Sequence, residues 1–217
     1  MTFFSRLQQQ TQAEQAELQS IPIILKALAG QVTLNQYVAF LTQAYHHVKH
    51  TTPLLMACGA KLGDDKEWLR EAIAHYIGEE IGHQEWILND IAACGADAEA
   101  VRHGKPAFAT ELMVAYGYDT IARCNPVGFF GMVHVLEGTS IQLAINAAEV
   151  LQKSLSLPKQ AFTYLSSHGS LDLEHVDFFR NLVNRLDSQE DKDCLVHCAK
   201  AVYRLYGDIF RSLESVQ

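Results

Sequence analysis

The sequence contains few of the residues that interrupt or cross-link a chain. Only five prolines and five cysteines occur among its 217 residues. The cysteines are odd in number, widely spaced and without a C-x-x-C pair, which argues against a disulfide framework or a zinc knuckle. They are Cys58, Cys94, Cys124, Cys194 and Cys198. Small buried side chains are the simpler interpretation of these positions.

An excess of basic residues and a long apolar run are also absent. The formal net charge is −8 and the pI is about 5.6, whereas a nucleic-acid partner requires a basic surface. No stretch approaches the roughly 20 uninterrupted apolar residues that span a bilayer. The N-terminal sequence MTFFSRLQQQTQAEQ has no basic segment followed by an apolar run. We therefore expect a cytoplasmic protein that binds neither nucleic acid nor membrane.

Alternating strand patterns, internal repeats and low-complexity tracts are missing as well. Apolar residues recur instead at about 3.6 positions along most of the chain. Because 48% of the residues are hydrophobic and 19% are charged, the composition is that of an ordinary globular protein. The sequence predicts a single all-α domain over residues 1–217, a bundle of about seven or eight helices.

Prolines, glycines and N-capping residues set the predicted helix bounds. The first segment, Phe3 to Gln19, is polar and predicts a peripheral helix in which Phe4, Leu7 and Leu18 face inward. Thr33 is the expected N-cap of a long core helix that reaches Thr51 or beyond. The remaining predicted segments are a helix from Asp64 or Asp65 to Gly95, a loop over 96–105, and helices over 106–124, 126–154, 165–186 and 188–213.

The most specific chemical pattern is His168-x3-Asp172-x2-His175. At about 100° per residue, these three side chains fall on one face of a helix. Imidazole and carboxylate together suit iron or manganese. The alternative is a solvated helix face, since Glu174 is also charged and Gly169 weakens the helix.

A second pattern places Glu79 four residues and Glu80 three residues before His83. Either carboxylate can share a helix face with the imidazole, and Glu-x-x-His is the spacing that ferritin-like di-iron proteins use on two helices. An exposed ion pair of the kind common on helix surfaces is the alternative.

A third candidate is Glu137, which lies in an apolar stretch rich in small residues. A carboxylate is costly to bury unless it is paired or coordinated. His134, one turn earlier, is the alternative partner through a buried hydrogen bond. The three patterns lie on three predicted helices, which is how metal sites are assembled in bundle cores.

On these motifs the chain resembles the haem-oxygenase-like metal-oxidase superfamily, which includes iron-containing redox enzymes and relatives of thiaminase II and pyrroloquinoline-quinone synthase. The segments that show the resemblance are 45–53, 79–83, 135–138 and 168–175. It implies one or two iron ions, or manganese, together with a small-molecule substrate, dioxygen and a homodimer. The implied ligands are Glu79 or Glu80, His83, Glu137, His168, Asp172 and His175.

The chain departs from the pattern of this superfamily in three places. Tyr76 stands seven residues before His83, where the superfamily often has a glutamate ligand. Gln43-Ala44-Tyr45 lacks the aspartate of thiaminase II relatives, and no histidine precedes His46 to serve as the axial ligand of a haem oxygenase. The first departure keeps open a metal-free binding protein or a cofactor-independent enzyme of the pyrroloquinoline-quinone synthase or thiaminase II type.

Overall fold

The chain folds into helices joined by short turns. A computed structural model describes the backbone of residues 1–216 and their side chains, apart from those of residues 140–143, 145 and 167–175. Within that part there is no β-strand, which confirms the all-α class, and none of the helices combines the length and apolar character that a membrane span requires. The α-helices α1 to α11 are, in chain order, Phe3–Gln19, Pro22–Leu28, Leu34–Val48, Thr51–Lys61, Glu67–Glu80, His83–Ala93, Ala98–His103, Phe108–Asp119, Phe130–Leu155, Thr163–Val183 and Gln189–Leu213.

Several local predictions are confirmed at the N-terminal side of the fold. Helix α1 has the predicted bounds, and Phe4, Leu7 and Leu18 are buried on its inner face. Thr33 caps α3 through a reciprocal pair in which its hydroxyl accepts from the Gln36 N–H and the Gln36 side chain accepts from the Thr33 N–H.

Two predicted helices and one predicted loop are corrected by the structure. The core helix that begins after Thr33 ends at Val48, and α4 restarts at Thr51, so Pro53 lies in a first turn where its missing N–H is tolerated. The segment predicted to run from Asp64 or Asp65 to Gly95 is interrupted after Glu80. The expected loop over 96–105 contains α7, because the Asp97 carboxylate caps it by accepting from the Ala100 N–H.

Helix α9 is the central element of the bundle. It packs against α2, α10 and α11, while α10 also contacts α6. The backbones of α9 and α11 are in close contact at Gly131, where a Cβ atom would meet the Leu195 carbonyl oxygen and lie 2.6 Å from the backbone nitrogen of Ala199. Only glycine fits this contact, so the first turns of α9 are held tightly against α11. Glu137 is two turns farther along the same helix.

Candidate metal centre

The first part of the candidate centre is the turn between α5 and α6. Helix α5 ends at Glu80, Ile81 is extended, and Gly82 has a φ of +94°, a conformation that glycine adopts at little cost. Helix α6 then begins at His83. The turn places the His83 Nδ1 atom 3.0 Å from the Glu80 Oε2 atom. The carboxylate and imidazole are therefore adjacent, as predicted, but through a left-handed turn and not through one continuous helix.

Glu79 and Glu80 have different surroundings. The Glu80 side chain is 11% exposed and His83 is 3% exposed, and the His83 ring stacks on Trp86 with centroids 4.1 Å apart. The Glu79 side chain is 33% exposed, and its Oε1 atom lies 3.3 Å from the Nε2 atom of His75. Of the two carboxylates, Glu80 is the one beside His83, so it is the better candidate for a ligand.

Glu80 and Glu137 line the same cavity, which has a volume of about 80 Å³. We call it the acidic cavity. Both carboxylates reach it from separate helices, α5 and α9. The other side chains that line the acidic cavity are His47, Val48, Thr51, Leu54, Leu55, Tyr76, Phe129, Met132, Val133, Leu136 and Tyr164. Most of this wall is apolar, so the two carboxylates lie in surroundings where an uncompensated negative charge is costly.

Tyr76 brings a phenol into the same cavity. Its side chain is 1% exposed and its ring packs edge-on against Phe178. Burial raises the pKa of the Tyr76 hydroxyl well above its usual range, and the charges of Glu137, Glu79 and Glu80 raise it further. Tyr76 therefore keeps its proton next to the carboxylates, at the position where the resemblance expects a further carboxylate.

Glu137 also lines a second cavity, which is more polar than the acidic cavity although Phe4, Val176 and Phe179 form part of its wall. It has a volume of about 220 Å³ and is lined by Gln8, Thr11 and Gln15 of α1 together with His134, Glu137 and Tyr203. Burial lowers the pKa of His134 to about 4, so its imidazole is neutral at physiological pH. The His134 ring stacks on Phe179 and meets Phe4 edge-on. Glu137 thus lines both the acidic cavity and a more polar one.

The predicted ligands His168, Asp172 and His175 lie on α10, and their side chains are outside the described residues. The backbone of α10 packs against α9 and against α6. These are the helices that bear Glu137 and His83. The packing therefore places α10 in contact with both of the other ligand-bearing helices, while the role of the α10 side chains remains a prediction.

The described side chains alone do not form a complete metal site. No group of three or more His, Cys, Asp or Glu residues among them is arranged to hold a metal ion. Two further cavity residues, His47 and Tyr76, were not among the predicted ligands. His47 follows the buried residues Leu41 and Ala44 at intervals of three. This helical spacing was the signal from which the burial of His47 could have been predicted.

Comparisons with known proteins agree with this fold. A crystal structure of a domain of unknown function with a haem-oxygenase-like fold, from Shewanella denitrificans, superposes with a TM-score of 0.88 at 26% identity, covering 99% of this chain and 92% of that one. A TenA homologue from Pseudomonas syringae gives a TM-score of 0.81 at 12% identity, covering 99% and 93%. A haem oxygenase from the cyanobacterium Synechocystis, in complex with haem, gives 0.78 at 15% identity, with 99% and 93% covered.

Sequence comparison identifies the family. No curated protein matches the chain. A profile of the family described as iron-containing redox enzyme matches residues 38–207, which is more than half of the chain. This match includes the Glu80–His83 turn, Glu137 and the whole of α10. The chain therefore belongs to the haem-oxygenase-like family of iron-containing redox enzymes.

Proposed function

We propose that this protein is a non-haem iron oxidase or oxygenase that acts on a small organic molecule with dioxygen. The observation that carries the proposal is the acidic cavity, where Glu80 and Glu137 from different helices lie in a mostly apolar wall. His83, whose Nδ1 atom is 3.0 Å from the Glu80 Oε2 atom, adds an imidazole beside this carboxylate. The family match supports iron as the ion.

The donor chemistry of these residues fits iron. Two carboxylates in a poorly solvated space repel each other, and a bound cation offsets both charges. Carboxylate oxygen with imidazole nitrogen is a set that suits iron or manganese. Glu80, Glu137 and His83 would hold such an ion together with His168, Asp172 and His175 of α10. This set is large enough for one or two ions without Glu79, which does not line the acidic cavity.

The surrounding residues have separate tasks in this proposal. Bound iron in its reduced state would supply electrons to dioxygen. The side chains of Leu54, Leu55 and Phe129 exclude bulk water from the cavity and so protect reactive species from side reactions. Tyr76 holds a proton on its Oη atom beside the carboxylates.

The absence of histidine before His46 favours non-haem chemistry over haem chemistry. Helices α1 and α2 contain no imidazole that can serve as an axial haem ligand. The likeness to the cyanobacterial haem oxygenase is at 15% identity and therefore concerns the fold.

A second candidate is a metal-free binding protein or a cofactor-independent enzyme of the pyrroloquinoline-quinone synthase or thiaminase II type. Tyr76 favours it, because a phenol occupies a position where the metal-binding relatives often have a carboxylate. The fold likeness to TenA homologues is compatible with it. In this case Glu80, Glu137 and Tyr76 would bind a polar ligand directly through hydrogen bonds.

Iron binding separates the two candidates. Metal-free protein is given Fe(II) without oxygen, freed of excess iron and analysed for metal content, and oxygen is then admitted while the ferric absorption is followed. We expect about one or two iron ions per chain. Glu80→Gln and Glu137→Gln are expected to weaken binding at least tenfold, whereas Glu79→Gln, at a more exposed carboxylate, is the matched control. Only trace iron in the unaltered protein would favour the metal-free candidate.

We also propose that the protein is a homodimer. Homodimers are usual among the proteins that the chain resembles, and twofold symmetric dimers are the commonest oligomers in general. Sedimentation equilibrium with and without iron would measure the mass directly, and a monomer in both states would contradict the proposal.

A further inference from the structure

An apolar cavity of about 100 Å³ lies beside the acidic cavity. It is enclosed by α2, α3, α9, α10 and α11, and we call it the hydrocarbon recess. Its lining includes Ile24, Ala27, Phe40, Ala147 and Leu151, and no charged side chain is among the described residues that form it. Such a lining gives an ion no compensating charge and favours a ligand that is apolar.

Three polar side chains in the wall of the hydrocarbon recess already have hydrogen-bond partners within the protein. The Tyr37 hydroxyl donates to the Ala161 carbonyl at 2.7 Å, and the Thr139 hydroxyl donates to the Val135 carbonyl at 2.6 Å. The Gln36 side chain donates to the Val216 carbonyl and accepts from the Thr33 N–H. These groups therefore need no hydrogen bond from a ligand, and a hydrocarbon can fill the space without leaving them unsatisfied.

The recess adjoins the acidic cavity through one shared side chain and one contact between aromatic rings. Tyr164 lines both cavities. Tyr206 lines the recess and meets His47 of the acidic cavity edge-on, with ring centroids 5.8 Å apart. Thr139 of the recess is two residues beyond Glu137 on α9. The ring of Tyr164 therefore lies between a ligand seated in the recess and the acidic cavity.

We propose that the hydrocarbon recess binds an uncharged hydrocarbon portion of the substrate, an alkyl chain or a ring, and directs the reacting end toward the acidic cavity. This inference rests on the proposed function, because it assigns the substrate class of the same site. Apolar cavities of comparable volume, about 150 Å³, hold molecules such as benzene. The recess therefore fits a substituent of a few carbon atoms and accounts for recognition without a charged partner.

The experiment uses straight-chain primary alcohols of increasing length as probes for metal-free protein, with binding measured by calorimetry. Each added methylene is expected to strengthen binding about fourfold, the ratio that corresponds to about 0.8 kcal/mol per buried CH₂, until the recess is full. Ala147→Leu and Ala27→Leu fill the recess from two different helices, α9 and α2, and are expected to weaken the binding of the longer alcohols at least tenfold. Asn146→Leu, at an exposed position of α9, is the matched control.

Two filling variants are used so that a loss of alcohol binding can be distinguished from a loss of folding. Ala27 is partly exposed, so Ala27→Leu is expected to retain the melting temperature even if Ala147→Leu lowers it. Binding that does not depend on chain length, or that survives both filling variants, would overturn the proposal. If the protein binds xenon but binds none of the alcohols, the proposal would also be overturned, in favour of a passage for dioxygen. Since no metal is present, failure here is distinct from failure to bind iron.

Discussion

The carboxylate of Asp90 on α6 caps the start of α10 at Thr163, 73 residues later in the chain. Its Oδ1 atom accepts from the Thr163 N–H at 3.1 Å and from the Thr163 hydroxyl, and its Oδ2 atom accepts from the Tyr164 N–H at 2.9 Å. Burial raises the pKa of Asp90, and these hydrogen bonds oppose the rise. Because Phe162 offers no side-chain cap, α10 depends on a distant residue for its first turn.

Removing this cap should destabilise the protein and disturb the helix that bears the predicted α10 ligands. Asp90→Ala leaves buried N–H groups of α10 without an acceptor, so the free energy of unfolding should fall by about 2–4 kcal/mol. Asp97→Ala removes an exposed cap of α7 and should cost about 1 kcal/mol. Urea unfolding of both variants measures the difference. Equal losses would show that the buried cap contributes no more than a surface one.

The turn at Gly82 should be sensitive to a side chain. Gly82 has a φ of +94° and nothing within 4 Å of an added Cβ atom, so Gly82→Ala introduces backbone strain without a clash. We expect a loss of about 1–2 kcal/mol and weaker iron binding, since Glu80 and His83 flank the turn.

Gly78 provides the matched control for this prediction. It lies inside α5 and also has nothing within 4 Å of an added Cβ atom. Gly78→Ala should therefore raise the stability by about 0.5–1 kcal/mol through helix propensity. Thermal unfolding of the pair tests the sign, and a stabilised Gly82→Ala would contradict the left-handed turn.

His46 predicts how stability depends on pH. Its side chain is 1% exposed, and burial, together with Lys49 and His50, lowers its pKa from 6.5 to about 4. The unfolded chain therefore binds a proton more readily than the folded protein between these values. The contribution of neutral His46 is fully present above pH 6.5 and is lost as the pH falls through 4, by about 3 kcal/mol in total.

A variant without the imidazole isolates this contribution. The difference in unfolding free energy between the unaltered protein and His46→Gln, measured from pH 7.5 to 4, should shrink steadily below pH 6.5. His103→Gln is the control, because the His103 side chain is 77% exposed. A difference that stays constant with pH would mean that His46 titrates as it does in the unfolded chain.

Local signals in the sequence were sufficient for much of the fold. The Thr33 cap, the Gly95 stop and the bounds of α1 follow from short-range rules, and the structure agrees with them. The interruption at Gly82 was missed because glycine inside a periodic apolar pattern is compatible with a continuous helix. The Asp90 cap could not be foreseen, since it joins residues that are distant in the sequence and that only tertiary packing brings together.

The candidate site was predictable in its residue types more than in its arrangement. Helical spacing correctly placed Glu80 next to His83, although the geometry that joins them is a turn. It did not separate Glu80 from Glu79, because that choice depends on which side of α5 faces the acidic cavity. The positions of Tyr76 and His47 in the wall of the acidic cavity likewise depend on the packing of several helices.

Tyr76→Glu tests whether the phenol occupies a ligand position. In metal-free protein the new carboxylate would be buried near Glu79, Glu80 and Glu137, so Tyr76→Glu should be less stable than the uncharged control Tyr76→Gln. A bound cation should reverse this order, because it compensates the added charge. Mn(II), at 100 times its dissociation constant, stabilises a folded protein by about 2.7 kcal/mol, and tighter binding by Tyr76→Glu would increase that gain at a fixed concentration. Thermal unfolding of both variants with and without Mn(II) gives the four required values. An equal gain in the two variants would show that position 76 does not contact the ion. Glu80 and Glu137 would then have to bind the ion without a ligand at position 76.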